Sequence, residues 1–249
     1  MSETPIEATT SVTSPAREPI LACHGLRKVY IQEDGSELRI LEGVEIAVSP
    51  GEAVAIVGAS GAGKSTLLHL LGGLDRPTAG RVILGGRNLA ALTERELATV
   101  RNERIGFVFQ FHHLLREFTA LENVMMPVLI AGGNPATASA RATDLLREVG
   151  LGARLTHKPW QLSGGEQQRV AVARALSNQP TVMIADEPSG NLDTHTGEQL
   201  HELFFRLRSE HQVALIIATH NRELADRADR VLQIREGQLQ DFYRSNDAV

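Results

Sequence analysis

The sequence predicts an α/β fold built on a mostly parallel sheet, and three observations carry that expectation. Apolar, strand-like runs alternate with helical segments along most of the chain. One run, Ala53-Val54-Ala55-Ile56-Val57, feeds a glycine-rich turn that opens directly into a helix, and another, Val182-Met183-Ile184-Ala185, delivers two adjacent carboxylates at its end. Strands so uniformly apolar suit burial on both faces beneath covering helices. At 249 residues the chain suits one large domain, or one domain with a subdomain, with a core that needs no disulfide. The single cysteine, Cys23, cannot form an internal bridge and reads as a small buried residue of the first strand.

In chain order, residues 1–18 are rich in Thr, Ser, Pro and Glu and lack both the basic and the apolar region of a secretory signal, so they read as a disordered tail. The ordered domain spans 19–245, with 246–249 as a C-terminal tail. Ile20 to Leu26 and Leu38 to Val48 read as strands flanking the turn signal Glu33-Asp34-Gly35-Ser36. Tyr30 lies between them; an aromatic just upstream of a phosphate loop can stack on a purine, or simply pack at a core edge. Pro50-Gly51 turns the chain into the strand at Ala53, and Thr66 to Leu71 reads as the helix beyond the loop. Gly72-Gly73 and Pro77 mark a loop, Arg81 to Leu84 a short strand, and Thr93 with Glu96 a capping box opening another helix. Ile105 to Phe109 is a strand ending in Gln110.

From Leu114 to about Lys158 the pattern turns helical. Thr119 with Glu122 opens one helix, Asn134-Pro135 opens the next, and Gly150 closes it. Residues 113–160 therefore read as a helical subdomain inserted in the α/β core. Alternation resumes with Val182 to Ala185, Glu198 to Glu210, Val213 to Thr219, Arg222 to Ala228 and Val231 to Ile234. The longest apolar runs, Val213 to Ala218 and the Val124 to Ala131 stretch broken by Pro127, fall short of the roughly 18–20 residues a membrane span needs. The balance of 25 Lys and Arg against 30 Asp and Glu, net −5, offers no broad basic field for nucleic acid.

The stretch Gly58-Ala59-Ser60-Gly61-Ala62-Gly63-Lys64-Ser65-Thr66 fits G-x-x-x-x-G-K-[ST] between a strand and a helix, the context that gives this motif its meaning. Glycines allow a tight turn that brings backbone N–H groups onto phosphates, and the helix N-terminus adds about half a positive charge. Lys64 is expected to reach the terminal phosphates and the Ser65 hydroxyl to ligate Mg²⁺. Asp186 and Glu187 close an apolar strand at the sheet edge where ligands sit in open α/β folds. That position suits Asp186 to support the metal and Glu187 to deprotonate an attacking water. Leu162-Ser163-Gly164-Gly165-Glu166-Gln167-Gln168-Arg169 precedes a further helix; it is either a flexible helix entry or a second anion site.

Taken together these residues resemble the ATP-binding-cassette (ABC) ATPases over about Ile20 to Tyr243. The family's motifs occur in its order: Walker A at Gly58 to Ser65, a Q-loop at Gln110, the signature at Leu162 to Gln168, Walker B ending in Asp186-Glu187, a D-loop at Ser189 to Asp193 and a switch histidine at His220. The resemblance implies a P-loop NTPase core with an antiparallel β subdomain and a helical subdomain, acting on ATP with Mg²⁺. By resemblance Tyr30 stacks on adenine, while Gly58, Ala59, Ser60, Gly61, Ala62, Gly63, Lys64, Ser65 and Thr66 hold phosphates. Ser65, Gln110 and Asp186 attend the metal, Glu187 is the base, and His220 contacts the γ-phosphate. Ser163, Gly164 and Gly165 would reach ATP bound to the other protomer of a head-to-tail homodimer, and Asp193 would couple the two sites.

The segment Phe109 to Pro127 lies where the family docks its membrane subunits, and it is similar to that of ATPases from lipoprotein-releasing transporters. Leu71 to Gly80 and Ala185 to Asp193 share that similarity, but also resemble macrolide-exporter and cell-division relatives. Arg116 stands where proline is expected in the lipoprotein-releasing group. The adjacent His112 and His113 lack the carboxylate or cysteine company of a metal site and read as docking residues. The resemblance therefore implies an ATPase peripheral to the cytoplasmic side of a bacterial inner membrane, bound near Gln110 to Pro127 by two integral membrane subunits and powering lipoprotein release toward a periplasmic carrier. The rivals are a macrolide-efflux-type or cell-division ABC complex, a soluble cassette ATPase of translation or DNA repair, and a nucleotide-gated switch without turnover.

Overall fold

The computed structural model describes residues 18–242. The N-terminal tail, apart from Glu18, and everything from Tyr243 onward lie outside the described residues.

Two sheets organise the chain. The larger has six strands in the order β10-β9-β3-β8-β7-β6, built from β3 (Ala53–Val57), β6 (Ile105–Phe109), β7 (Val182–Asp186), β8 (Ala214–Ala218), β9 (Arg230–Arg235) and β10 (Gln238–Asp241). All its neighbours pair in parallel except β10, which runs back against β9. The central strands β3, β7 and β8 are buried along nearly their whole length, as their unbroken apolar runs require.

The smaller sheet is antiparallel, in the order β2-β1-β4-β5, from β1 (Leu21–Ile31), β2 (Glu37–Val48), β4 (Ala79–Leu84) and β5 (Arg87–Asn88). Strand β1 runs past Leu26, and Tyr30 lies on it opposite Leu38 instead of in a connection. The extension follows from Val29, Tyr30 and Ile31, β-formers that pair back across the Asp34-Gly35 turn. Helix α1 (Lys64–Leu71) sits between the sheets, its Leu67, Leu68, Leu70 and Leu71 buried with Leu21, Leu41 and Val82 on one side and Val54, Ile56 and Ile216 on the other. The Glu42 N–H donates to the Gly237 carbonyl at 2.8 Å, joining the β2 edge to the β9–β10 turn.

Helix α2 (Glu94–Arg104) opens on the Thr93–Glu96 capping box. Helix α3 (Ala120–Ile130) opens on Thr119–Glu122, and α4 (Pro135–Glu148) on Asn134 with Pro135 in the first turn. These caps lie where the residue types predict, because each satisfies otherwise orphaned N–H groups within four residues of chain. The 114–158 stretch is less helical than its pattern suggests: α3 and α4 pack together, but coil precedes α3 and turns follow α4. Pro127, which breaks the apolar run, lies inside α3, and its carbonyl accepts bonds from Asn102 and Asn178.

Against the other face of the large sheet lie α5 (Gly164–Ala175), α6 (Thr194–His211) and the short α7 (Arg222–Asp226). The fully buried Phe204 of α6 sits in this second core with Leu145, Val170, Met183 and Leu215.

Candidate nucleotide site

The phosphate loop links β3 to α1 at the carboxyl edge of the large sheet. Two of its glycines have steric reasons to be glycine. A Cβ on Gly58 would come within 2.7 Å of the Ile234 side chain, and Gly63, the N-cap of α1 at φ 102°, would bring one within 2.9 Å of Ile40. The first bond of the helix runs from the Leu67 N–H to the Gly63 carbonyl, so the N–H groups of Lys64, Ser65 and Thr66 are left for an anion. The Lys64 ammonium folds over the loop, donating to the carbonyls of Gly58 at 2.9 Å and Ala59 at 3.1 Å, which holds its charge over the cradle. The Ala62 N–H closes the turn onto the Ala59 carbonyl.

Around this loop the structure gathers a cleft of about 440 Å³ lined by Ser60, Gly61, Gly63, Lys64, Ser65, Thr66, Gln110, Glu187 and His220, with Ile40 as a wall residue that the sequence had not signalled. Glu187 adopts a left-handed backbone (φ 45°), uncommon for a residue with a side chain. Its N–H donates to the Ala218 carbonyl and its own carbonyl accepts from Gly190, so neighbours on both sides fix the conformation. The carboxylate accepts from the His220 N–H at 3.2 Å, lies 2.9 Å from His220 Nδ1, and stands 4.0 Å from the Lys64 ammonium. His220 is otherwise exposed, its ring reaching over the cleft from the end of β8.

Asp186 closes β7, and its Oδ1 is buried with no hydrogen-bond partner. A buried carboxylate oxygen with nothing to accept from is costly unless a cation or ordered water meets it. With the Ser65 hydroxyl and the Gln110 amide lining the adjacent cleft, the donor set is all oxygen, as a hard cation such as Mg²⁺ prefers. Gln110 is tied to the loop after β7, its amide donating to Asn191 at 3.0 Å while Asn191 donates back to the Gln110 carbonyl. Residue type alone gave Asn191 no role; the pairing appears only when β6 and β7 lie side by side.

Tyr30 lies beside Thr66, with Lys28 4.7 Å over its ring and its hydroxyl donating to Asp75 at 3.0 Å. Burial and the Asp75 carboxylate raise the phenol above its ordinary pKa. For Asp75, burial acts upward, but bonds from Lys28, Tyr30 and the Arg76 N–H outweigh it and hold the carboxyl below its usual range. Lys28 and Asp75 are supports for Tyr30 that lie 47 residues apart in sequence.

Ser163, Gly164, Gly165 and Asp193 do not line this cleft. Ser163 caps α5, its Oγ accepting from the Glu166 N–H at 3.2 Å while Glu166 accepts from the Ser163 N–H at 2.8 Å. That bond first, and Arg154 at 3.0 Å second, keep the Glu166 carboxyl below the usual range. Gly164 is exposed, whereas Gly165 is buried against α6, where a Cβ would come within 2.3 Å of the Thr196 methyl. Asp193 caps α6 by accepting from the Thr196 N–H. The expected docking segment is braced from below. Buried Asn123 accepts from the Leu115 N–H and donates to the carbonyls of Leu115, Phe118 and Thr119, while Arg174 donates to the carbonyls of His112 and His113. Phe111, Leu115 and Phe118 are left exposed. Among the described residues no cluster of His, Cys, Asp and Glu could hold a metal ion, and no helix is long and apolar enough to cross a membrane.

Comparison with known proteins identifies the chain's relatives. The family described as "ABC transporter" matches residues 41–190, more than half of the chain. The lipoprotein-releasing system ATP-binding protein LolD of Xanthomonas oryzae is 52% identical over 223 residues, covering 90% of this chain and 91% of the relative. LolD of Legionella pneumophila is 52% identical over 221 residues, covering 88% and 96%. Among solved structures, the dimeric post-hydrolysis state of the ATP-binding cassette MJ0796 bound to ADP and Pi superposes with a TM-score of 0.81 at 35% identity, over 90% of this chain and 99% of that one. CbiO1 of Clostridium perfringens, part of the ABC transporter complex cbiONQ, gives 0.79 at 27% identity, over 90% and 87%. With the phosphate loop, the Asp186-Glu187 edge and His220 converging on one cleft, and with relatives matching almost end to end, the chain belongs to the ABC transporter family of ATP-binding cassettes.

Proposed function

We propose that this chain is the ATP-hydrolysing subunit of a lipoprotein-releasing ABC transporter, driving lipoproteins out of the inner membrane toward a periplasmic carrier. The observation that carries the reading is 52% identity to lipoprotein-releasing system ATP-binding proteins across about nine-tenths of both chains. The loop amides and Lys64 hold the ATP phosphates, Tyr30 stacks on the base, and Glu187 takes the proton of the attacking water. His220, hydrogen-bonded to Glu187, steers that carboxylate and meets the γ-phosphate. Bound Mg²⁺ would be held by Ser65, Gln110 and Asp186 and would supply charge neutralisation on the β- and γ-phosphates.

Ser163, Gly164 and Gly165 lie outside the chain's own cleft, which supports their use on ATP held by a second copy. In such a homodimer ATP favours the closed state by touching both halves, a population shift that a membrane partner can sense. Asp193 at the head of α6 couples the two sites. The partners are two integral membrane subunits meeting the exposed Phe111, Leu115 and Phe118 near Gln110 to Pro127, with this chain peripheral on the cytoplasmic side. The test is affinity purification of the tagged full chain from its native inner membranes with ATP and Mg²⁺, followed by mass spectrometry. Two lipoprotein-releasing membrane subunits are expected; an efflux or cell-division subunit, or no membrane protein, overturns the reading.

A further inference from the structure

The D-loop that follows Glu187 rests on a buried polar contact that the ATP site itself does not use. His201 lies on α6, is 2% exposed, and its Nε2 stands 2.8 Å from Ser189 Oγ. Gly197, one turn earlier on the same helix, also lies against this loop: a Cβ placed there would stand at van der Waals distance, 3.6 Å, from Ser189 Cβ, so the loop is seated on α6 beside the imidazole. Burial first, and the charge of Arg227 second, hold the His201 ring below its ordinary pKa of 6.5, with Glu223 partly opposing. At neutral pH the ring is uncharged and can either accept from or donate to the serine.

What hangs on Ser189 is the machinery of the cleft. The Gly190 N–H donates to the Glu187 carbonyl at 3.0 Å, within the turn that keeps Glu187 in its left-handed conformation. Asn191 holds Gln110 by two reciprocal bonds, and the Leu192 N–H returns to the Ser189 carbonyl at 3.0 Å. Ser189 is thus the point at which a turn carrying Glu187 on one side and the Gln110 tether on the other is fastened to a rigid helix. We propose that His201 is a positioning residue for ATP hydrolysis, holding the Ser189-Gly190-Asn191 turn, and through it Glu187 and Gln110, in the geometry the reaction needs. The inference rests on the reading of Glu187 as the base.

Fastening the loop acts on the transition state more than on ground-state binding, because Lys64 and the loop amides that hold the nucleotide do not contact it. The full chain is assayed for steady-state ATP hydrolysis, binding of a fluorescent ATP analogue and thermal melting, as His201→Leu, Ser189→Ala, the double variant and His201→Gln, with Glu187→Gln in parallel. His201→Leu and Ser189→Ala are each expected to lower kcat about tenfold with KM and analogue affinity within threefold of the parent. The double variant should be no worse than either single one. His201→Gln, which can still reach the serine, should recover to within threefold. If His201→Leu does not fold, Ser189→Ala and His201→Gln carry the test. Turnover within twofold of the parent in Ser189→Ala, single effects that multiply in the double variant, or a loss confined to KM overturns the proposal while Glu187→Gln stays inactive. Full turnover in Glu187→Gln instead overturns the reading of the base on which it rests.

Discussion

Asp186 offers a test in which the apo fold and the metal respond in opposite directions. Its Oδ1 is buried without a partner, and leaving such a group unsatisfied costs about 1–3 kcal/mol. Asp186→Asn keeps the shape of the side chain but removes the unpartnered charge, so the nucleotide-free protein should gain up to that amount. For a chain of this size 1 kcal/mol shifts Tm by about 2–4 °C, so the apo variant should melt about 2–12 °C above the parent. The same change removes the carboxylate expected to support Mg²⁺, so the further stabilisation that ATP with Mg²⁺ gives the parent should shrink toward that of ATP with EDTA. Differential scanning fluorimetry of both proteins under the three conditions reads both effects. An apo variant melting at or below the parent, with an undiminished Mg²⁺-dependent shift, would refute the argument that this oxygen waits for a cation.

Three further outcomes follow from the same geometry. Glu187→Gln retains an acceptor for the His220 N–H and should leave ATP binding intact, but should lower steady-state phosphate release by about 10²–10⁴ and trap an ATP-bound dimer on size exclusion; near-normal turnover removes Glu187 from its role. Gly165→Ala drives a Cβ against the Thr196 methyl and should cost about 1–3 kcal/mol of stability, recovered by adding Thr196→Ser, which removes that methyl; an unchanged melting curve would mean that α5 and α6 separate freely. Replacing both His112 and His113 by Ala should weaken co-purification with the membrane subunits while basal hydrolysis holds. The ring of His112 is held below the ordinary histidine pKa by burial and then by His113 and Arg174, so a docking role would be that of a neutral group, and lost ATP binding would show the docking surface to be elsewhere.

Much of the fold was legible because its signals are local. The capping boxes at Thr93 and Thr119, the Asn134-Pro135 start, and the apolar runs of β3, β7 and β8 each specify their structure within a few residues, and the structure forms each one. What the sequence did not signal lies where partners far along the chain decide. Pro127 sits inside α3, where Asn102 and Asn178 meet its carbonyl, and β5 and β10 exist only because β4 and β9 offer edges to pair with. The three-dimensional support of the site was similarly hidden: Lys28 and Asp75 beneath Tyr30, Asn191 on Gln110, Asn123 under the proposed docking loop, and His201 on Ser189.

By itself, the sequence determined that this protein carries a phosphate loop between a strand and a helix, because that motif needs fixed residue types at fixed spacing, and the roles proposed for Asp186 and Glu187 follow from their place at a strand end. It also carried the family, through motifs recurring in one order. Only the tertiary structure decided which backbone conformation Glu187 adopts, which oxygen of Asp186 is left without a donor, and how the D-loop is fastened to α6. Those properties depend on which side chains meet across the sheet and on what burial denies them, and neither is written in the spacing of residues along the chain.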